Sequence, residues 1–129
     1  MRSTALLALG LSALVAATAI AEEHHIKADL VPNGGSSVHG FVQLTQLPHG
    51  GSNVHVMATG LHRGAVYASF YYDSPDCTEP AESVGTFTAK DDGTGEVNIK
   101  IDDDLDEVGS VSVRVGPGYG ELLACAKLH

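Results

Sequence analysis

The stretch VHGFVQLTQLPHGGSNVHVMATG, residues 38–60, decides the fold class. Apolar residues recur at every second position on both sides of Pro48-His49-Gly50-Gly51, with Val42 and Leu44 before it and Val54, Val56 and Ala58 after it. Successive side chains of a strand point to opposite faces, so alternation around a segment that tolerates positive φ predicts a β-hairpin. Val38 joins those five as the inward set, and His39 and His55 then point outward.

The same two-residue period recurs outward from this hairpin, and no helical period of useful length appears beyond the first 21 residues. It predicts strands at Ile26–Val31, Val38–Leu44, Asn53–Gly60, Ala65–Tyr72, Ser83–Ala89, Glu96–Ile101, Gly109–Val115 and Leu122–Lys127. Turn-forming clusters separate them at Pro32-Asn33-Gly34-Gly35, Asp91-Asp92-Gly93-Thr94-Gly95 and Gly116-Pro117-Gly118-Tyr119-Gly120. Eight short strands at this spacing imply an all-β antiparallel sandwich or flattened barrel. In GAVYASFYYDSPDC, residues 64–77, alternation gives two faces: Val66, Ala68, Phe70 and Tyr72 as core, and Tyr67, Ser69 and Tyr71 as surface.

Residues 1–21 read as a secretory signal peptide. Arg2 precedes an apolar run from Ala5 to Ala17, followed by the small-residue pattern Ala19-Ile20-Ala21. Residues 22–129 then form one exported domain, extracellular or periplasmic, and no later run has the 18 apolar residues of a membrane span. The full chain has 7 Lys and Arg against 16 Asp and Glu, a net charge of −9, which argues against nucleic acid or anionic lipid as partner. Its two cysteines, Cys77 and Cys125, are expected to pair in an oxidising compartment. A bridge closing about 48 residues contributes on the order of 4 kcal/mol in the chain-entropy model.

The order of several segments resembles the copper/zinc superoxide dismutase family. SSVHGFVQLTQ is similar to its Val-x-Gly strand ending in Gln, and NVHVMATGLHRG to its Val-x-Val strand and Gly-Leu-x-x-Gly turn. SVGTFTAKDDGTGEVNIKI resembles its strand, Asp-Gly turn and strand, and GELLACAKL its last strand with the half-cystine. The resemblance spans nearly all of residues 22–129. It implies an eight-stranded Greek-key barrel of that family's type, with one disulfide, Cys77–Cys125.

It does not imply the activity. The family's histidines after its Gly-Leu-x-x-Gly turn, the last two of them copper ligands, fall here on Val66, Ser69 and Tyr71, none of which replaces imidazole. The segment between Cys77 and Val84 contains no histidine, so the zinc-binding stretch is absent. The remaining copper-ligand position falls near Val115, and the arginine that guides superoxide corresponds to Leu122.

Three other groups carry metal chemistry. If cleavage follows Ala21, the new terminus Glu22-Glu23-His24 offers an amine, two amide nitrogens and an imidazole, the square-planar set that Cu(II) favours. The competing reading is a polar tail left by cleavage. If His55 pairs opposite Phe41 and His39 opposite Met57, then His39, His55 and Met57 form a soft, open copper site; the bland alternative is three solvent-facing side chains. Asp102-Asp103-Asp104-Leu105-Asp106-Glu107 is rich in oxygen donors but lacks EF-hand spacing, and reads as a solvated connection. No nucleophile elbow, His-Glu-x-x-His pair or phosphate loop occurs.

The leading reading is an exported dismutase-like protein without the metal centre or any cofactor, not an enzyme, that binds a protein partner or small ligand through a patch of Tyr67, Ser69, Tyr71 and Tyr119. Copper handling through Glu22, Glu23 and His24 or the hairpin histidines is the second reading, and residual dismutase activity the third.

Overall fold

The computed structural model describes residues 24–129. The proposed leader, 1–21, and the donors Glu22 and Glu23 lie outside the described residues. The strands are β1 (His25–Pro32), β2 (His39–Gln46), β3 (Ser52–Thr59), β4 (Val66–Tyr72), β5 (Ala81–Thr88), β6 (Gly95–Ile101), β7 (Ser110–Val115) and β8 (Leu122–Lys127). Each predicted strand is present, with both ends within two residues of the expectation. A single 3-10 turn, Leu105–Glu107, lies between β6 and β7.

All pairings are antiparallel, in the order β5-β4-β7-β8-β1-β2-β3-β6. The chain leaves the first half of the barrel after β3, returns for β6 and leaves again for β7, which makes the topology a Greek key. The interior is filled by Val42, Leu44, Val54 and Val56 from the first half and Val111, Val113, Ala124 and Ala126 from the second, all fully buried. Each buried Val or Leu contributes about 1.5–3 kcal/mol relative to exposure.

The hairpin that decided the fold class forms with a different register. Phe41 lies opposite Met57, Gln43 opposite His55, and His39 opposite Thr59. The shift arises in the turn. Leu47 donates its N–H to the Gly51 carbonyl at 2.9 Å, so Gln46 and Ser52 are the last pair and five residues form the loop. Gly50 and Gly51 both adopt positive φ, 100° and 85°, which side-chain-bearing residues rarely adopt.

The larger correction concerns β4, whose faces are the reverse of the expectation. Tyr67 and Tyr71 are 4% and 5% exposed and Ser69 is 0% exposed; they point into the barrel. Tyr67 stacks on Phe87 with centroids 5.9 Å apart, and its hydroxyl accepts the His62 N–H at 2.9 Å. The Tyr71 hydroxyl donates to Glu82 at 3.1 Å. Each ring is thus buried lengthwise with its polar end satisfied. The outward residues Ala68 and Tyr72 are only 1% exposed, because connections cross over them. A strand covered on both sides shows no contrast between faces, so period alone does not orient it.

Cys77 and Cys125 form the expected disulfide, with Cα atoms 6.2 Å apart. The bridge holds the Asp73–Pro80 connection over the outer side of β7. Ser110 supports it from below: its hydroxyl accepts the Cys77 N–H at 2.9 Å and donates to the Ser74 carbonyl at 2.7 Å. The Cys77 backbone itself has φ 59°, the one positive value outside glycine among the described residues.

Replacing both cysteines by serine is expected to lower unfolding free energy by about 4 kcal/mol in urea titration, as the loop length requires. A loss below about 1 kcal/mol would mean that the bridge is not closing that loop in the unfolded chain.

Two serines, both fully buried, give a contrasting pair. Ser69 Oγ has no hydrogen-bond partner, so Ser69→Ala is expected to stabilise the fold by about 1 kcal/mol through removal of an unsatisfied hydroxyl. Ser110→Ala strands the Cys77 N–H and is expected to destabilise by about 2 kcal/mol. Thermal and chemical denaturation of the two variants should move in opposite directions.

Candidate functional site

The outward side of β5, β4, β7 and β8 carries the polar cluster that the strands bring together, whereas Ser69 and Tyr71, the positions aligned with copper ligands by the resemblance, point into the barrel. Register sets Phe70 beside Ser112 and Ala68 beside Arg114, and continues from Ser112 to Cys125 and from Cys125 to Val31 of β1. Paired residues of antiparallel strands share a face, so these side chains form one continuous row.

Its centre is the Tyr72 hydroxyl. Tyr72 and Ser112 hydroxyls are 2.8 Å apart, and Arg114 Nε donates to Tyr72 at 3.0 Å. Arg114 Nη1 also donates to the Gly120 carbonyl at 2.9 Å, and the guanidinium lies 3.8 Å from the centroid of the Tyr119 ring. Tyr119 closes the cluster with an edge contact to Phe70, centroids 4.9 Å apart. Burial, then approach to Tyr72, pushes the Tyr119 hydroxyl up to about 12 against the opposing pull of Arg114. The phenol is therefore neutral throughout the physiological range.

Of the four residues expected to form a contact patch, only Tyr119 is at the surface, 40% exposed. Tyr67, Ser69 and Tyr71 are core for the reason given above. Sequence reasoning missed Tyr72, Ser112 and Arg114. A signal for them existed in GSVSVRV, residues 109–115, where Ser110, Ser112 and Arg114 alternate with Val111 and Val113.

The hairpin copper site does not assemble. His55 lies opposite Gln43, four residues along β2 from His39, a separation of about 13 Å along the strand. Met57 lies opposite Phe41 and Glu96. His55 instead meets Glu96 at 3.6 Å and the edge of Phe41 at 6.1 Å between centroids, while Lys27 covers that ring at 4.4 Å. His39 Nδ1 is 3.0 Å from the Ser37 carbonyl. Among the described residues no three His, Cys, Asp or Glu side chains converge as a metal-binding group.

His24 lies at the opposite end of the barrel, beside the Leu47–Gly51 turn, and its carbonyl accepts the Gln46 N–H at 2.8 Å. An open cleft of about 280 Å³ runs there between Ile26, Gln46, Asp104 and His129. Gln46 ties the acidic connection to the hairpin: its amide donates to Asp104 Oδ1 at 3.1 Å and accepts the Leu105 N–H at 2.8 Å. Asp104 Oδ1 also accepts the Gly51 N–H at 2.8 Å. The acidic run is therefore a clamp across the barrel end.

No family model matches this sequence, and no curated protein matches it.

The clamp gives two adjacent carboxylates opposite electrostatics. The Gly51 N–H and the Gln46 amide hold Asp104 below the usual carboxylate range. Burial, then the charges of Glu82, Glu107, Asp73 and Asp102, push Asp103 up. Ionised Asp104 therefore adds stability above its unfolded pKa, about 3.9, and that contribution is lost as pH falls through the depressed folded value. For Asp103 the favoured form is protonated, so its contribution is full below the unfolded pKa and lost as pH rises through the raised folded value. Asp104→Asn should lower stability at pH 7 and Asp103→Asn should raise it; the Asp103 difference should close as pH falls below about 3.9, and the Asp104 difference only as pH falls further, through the depressed folded value. Denaturation midpoints measured across that range check the signs.

Proposed function

We propose that this chain is an exported, non-catalytic interaction protein on a superoxide-dismutase-like barrel whose metal face has been rebuilt as a tyrosine, serine and arginine surface. The observation that carries this reading is the closed network of Tyr72, Ser112, Arg114 and Tyr119. A copper centre of the family's kind needs several imidazoles on that face. Its outward strand positions hold Phe70, Tyr72, Ser112 and Arg114 instead, and Ser69 and Tyr71 turn into the core. The residues present do not fit copper or zinc.

Two further features support a binding role. Arg and Tyr, the main residues of the network, are enriched where proteins make their strongest contacts. Arg114 is also held in place before any partner arrives, by Tyr72, Gly120 and the Tyr119 ring, which lowers the ordering cost of association.

Metal uptake by protein beginning at Glu22 tests this directly. After incubation with Cu(II) and Zn(II) and removal of free metal, a His24→Ala variant should retain far less than one equivalent of either. It should also remove superoxide no faster than a matched trace of free copper. A full equivalent held by that variant, with metal-dependent superoxide removal, would overturn the reading. Copper retained by the parent chain and lost on His24→Ala would assign uptake to the terminus.

A further inference from the structure

The two ends of the barrel are closed differently. At one end the acidic connection between β6 and β7 is clamped across the mouth by Gln46 and Asp104. The other end is left partly open. Val115 shares the inward side of β7 with Val111 and Val113, which are fully buried, yet it is 41% exposed. It stands opposite Tyr67, whose ring belongs to the core. A cavity of about 330 Å³ is lined by these two side chains, by Val38, and by Leu123, the extra residue where the register of β7 and β8 shifts.

The polar side chains of this cavity are equipped to donate. The hydroxyl of the buried Tyr67 already accepts the His62 N–H at 2.9 Å, and Ser36 Oγ accepts the Val38 N–H at 3.0 Å. Among the described residues neither hydroxyl has an acceptor for its own proton. A hydroxyl whose oxygen is already accepting is polarised into a better donor. The exposed imidazole of His62 also lines the cavity, and Arg63 follows it in the same exposed turn. No Asp or Glu is among the lining residues, whereas Asp104 and Asp106 line the cleft at the other end. The walls are in place without a ligand: Ser37 Oγ donates to the Gly60 carbonyl at 3.0 Å, which ties the β1–β2 connection to the β3–β4 turn.

We infer that this mouth binds a small monocarboxylate, its apolar body against Val38, Val115 and Leu123 and its carboxylate among the donors of Tyr67, Ser36 and His62. Apolar walls with a few placed polar groups are the makeup of small-molecule sites, which occur in the mouths of barrels. The volume lies at the lower end of their range of about 300–1,000 Å³, so the ligand is compact. Hydrogen bonds to an ionised acceptor are roughly twice as strong as neutral ones, which favours a carboxylate over an amide or alcohol. A ligand group that only donates finds the two hydroxyl oxygens already engaged. The open side keeps the carboxylate in part contact with water, so its transfer costs less than full burial. Tyr119 lies outside this cavity, and occupancy here is independent of the interaction face.

Titration with sodium benzoate, followed by amide nitrogen–proton correlation NMR at fixed pH and ionic strength, tests it on chain beginning at Glu22. The expected result is saturable shifts centred on the amides of Ser36, Val38, His62, Val115 and Leu123, with a dissociation constant in the millimolar range. Acetate lacks the apolar body and benzamide lacks the charge, so each should bind more weakly by about fivefold or more. Val115→Asp sets a second carboxylate against the bound one and should weaken benzoate by about tenfold or more. Its side chain is already 41% exposed, so the fold is kept. Tyr67→Phe removes one donor and should weaken benzoate about tenfold. That change also strands the His62 N–H, and Val115→Asp carries the test if Tyr67→Phe fails to fold. Met57→Asp, on the outer side of the opposite sheet, should leave binding unchanged. Benzoate shifts that do not saturate, acetate or benzamide binding as tightly as benzoate, or benzoate affinity unmoved by Val115→Asp overturns the inference.

Discussion

Burial of β4 on both sides is the constraint from which the remaining architecture follows. Its inner side supplies Tyr67 and Tyr71 to the core, where rings stretch along the barrel and reach hydrogen-bond partners near its two ends. Its outer side supplies Phe70 and Tyr72, which must be covered because a sheet with large apolar groups on both faces is insoluble as a surface. Two connections do the covering. The Asp73–Pro80 segment is drawn down by Cys77–Cys125 and by Ser110, and the Gly116–Gly120 segment is drawn down by Arg114 and Tyr119. The disulfide and the arginine therefore serve the same end from two sides of the strand.

The elements whose two faces differ were legible in the sequence, and those whose faces do not differ were not. Residues 38–60 show a clear alternation because β2 and β3 bury one side and expose the other, so their inward set is the one observed. Their pairing was shifted by two positions because register is settled in the turn, through the Leu47 to Gly51 hydrogen bond, and alternation is blind to a shift of two. In β4 both alternation sets are mostly apolar, and the choice between them depends on partners distant in sequence. Phe87 receives Tyr67, and Ser112 and Arg114 receive Tyr72. None of those contacts has a local signature.

The same limit explains the site. The sequence is richest in donors at the hairpin histidines and the acidic run, yet histidines on one sheet separate by several ångströms for each residue of register. Arg114 carries no local signal, because a lone arginine in a valine-rich strand has the same pattern as a solvated side chain. In three dimensions it is the residue that joins the Tyr72 hydroxyl, the Gly120 carbonyl and the Tyr119 ring. Its neighbours across β8 make the point sharper: Arg114 pairs with Leu122, so the apolar side chain at that position has a guanidinium beside it on the adjacent strand.

Buried hydroxyls distinguish what this face is built to do. Ser112 and Ser110 are both inaccessible to solvent, and each has its hydrogen bonds completed by protein groups: Tyr72 for the first, Cys77 and Ser74 for the second. A surface prepared for reversible ligation keeps donors unspent and reachable; here they are used to fix two loops and orient one cation. What is left unspent is Tyr119, the outer edge of Arg114, and the valines beyond them. Those are groups suited to contact with another folded surface, where a rigid aromatic ring and a pre-oriented guanidinium gain most from desolvation. Fold alone carries no such conclusion, since one barrel hosts many chemistries. The proposed binding role rests on which hydrogen bonds on the outer face are already made.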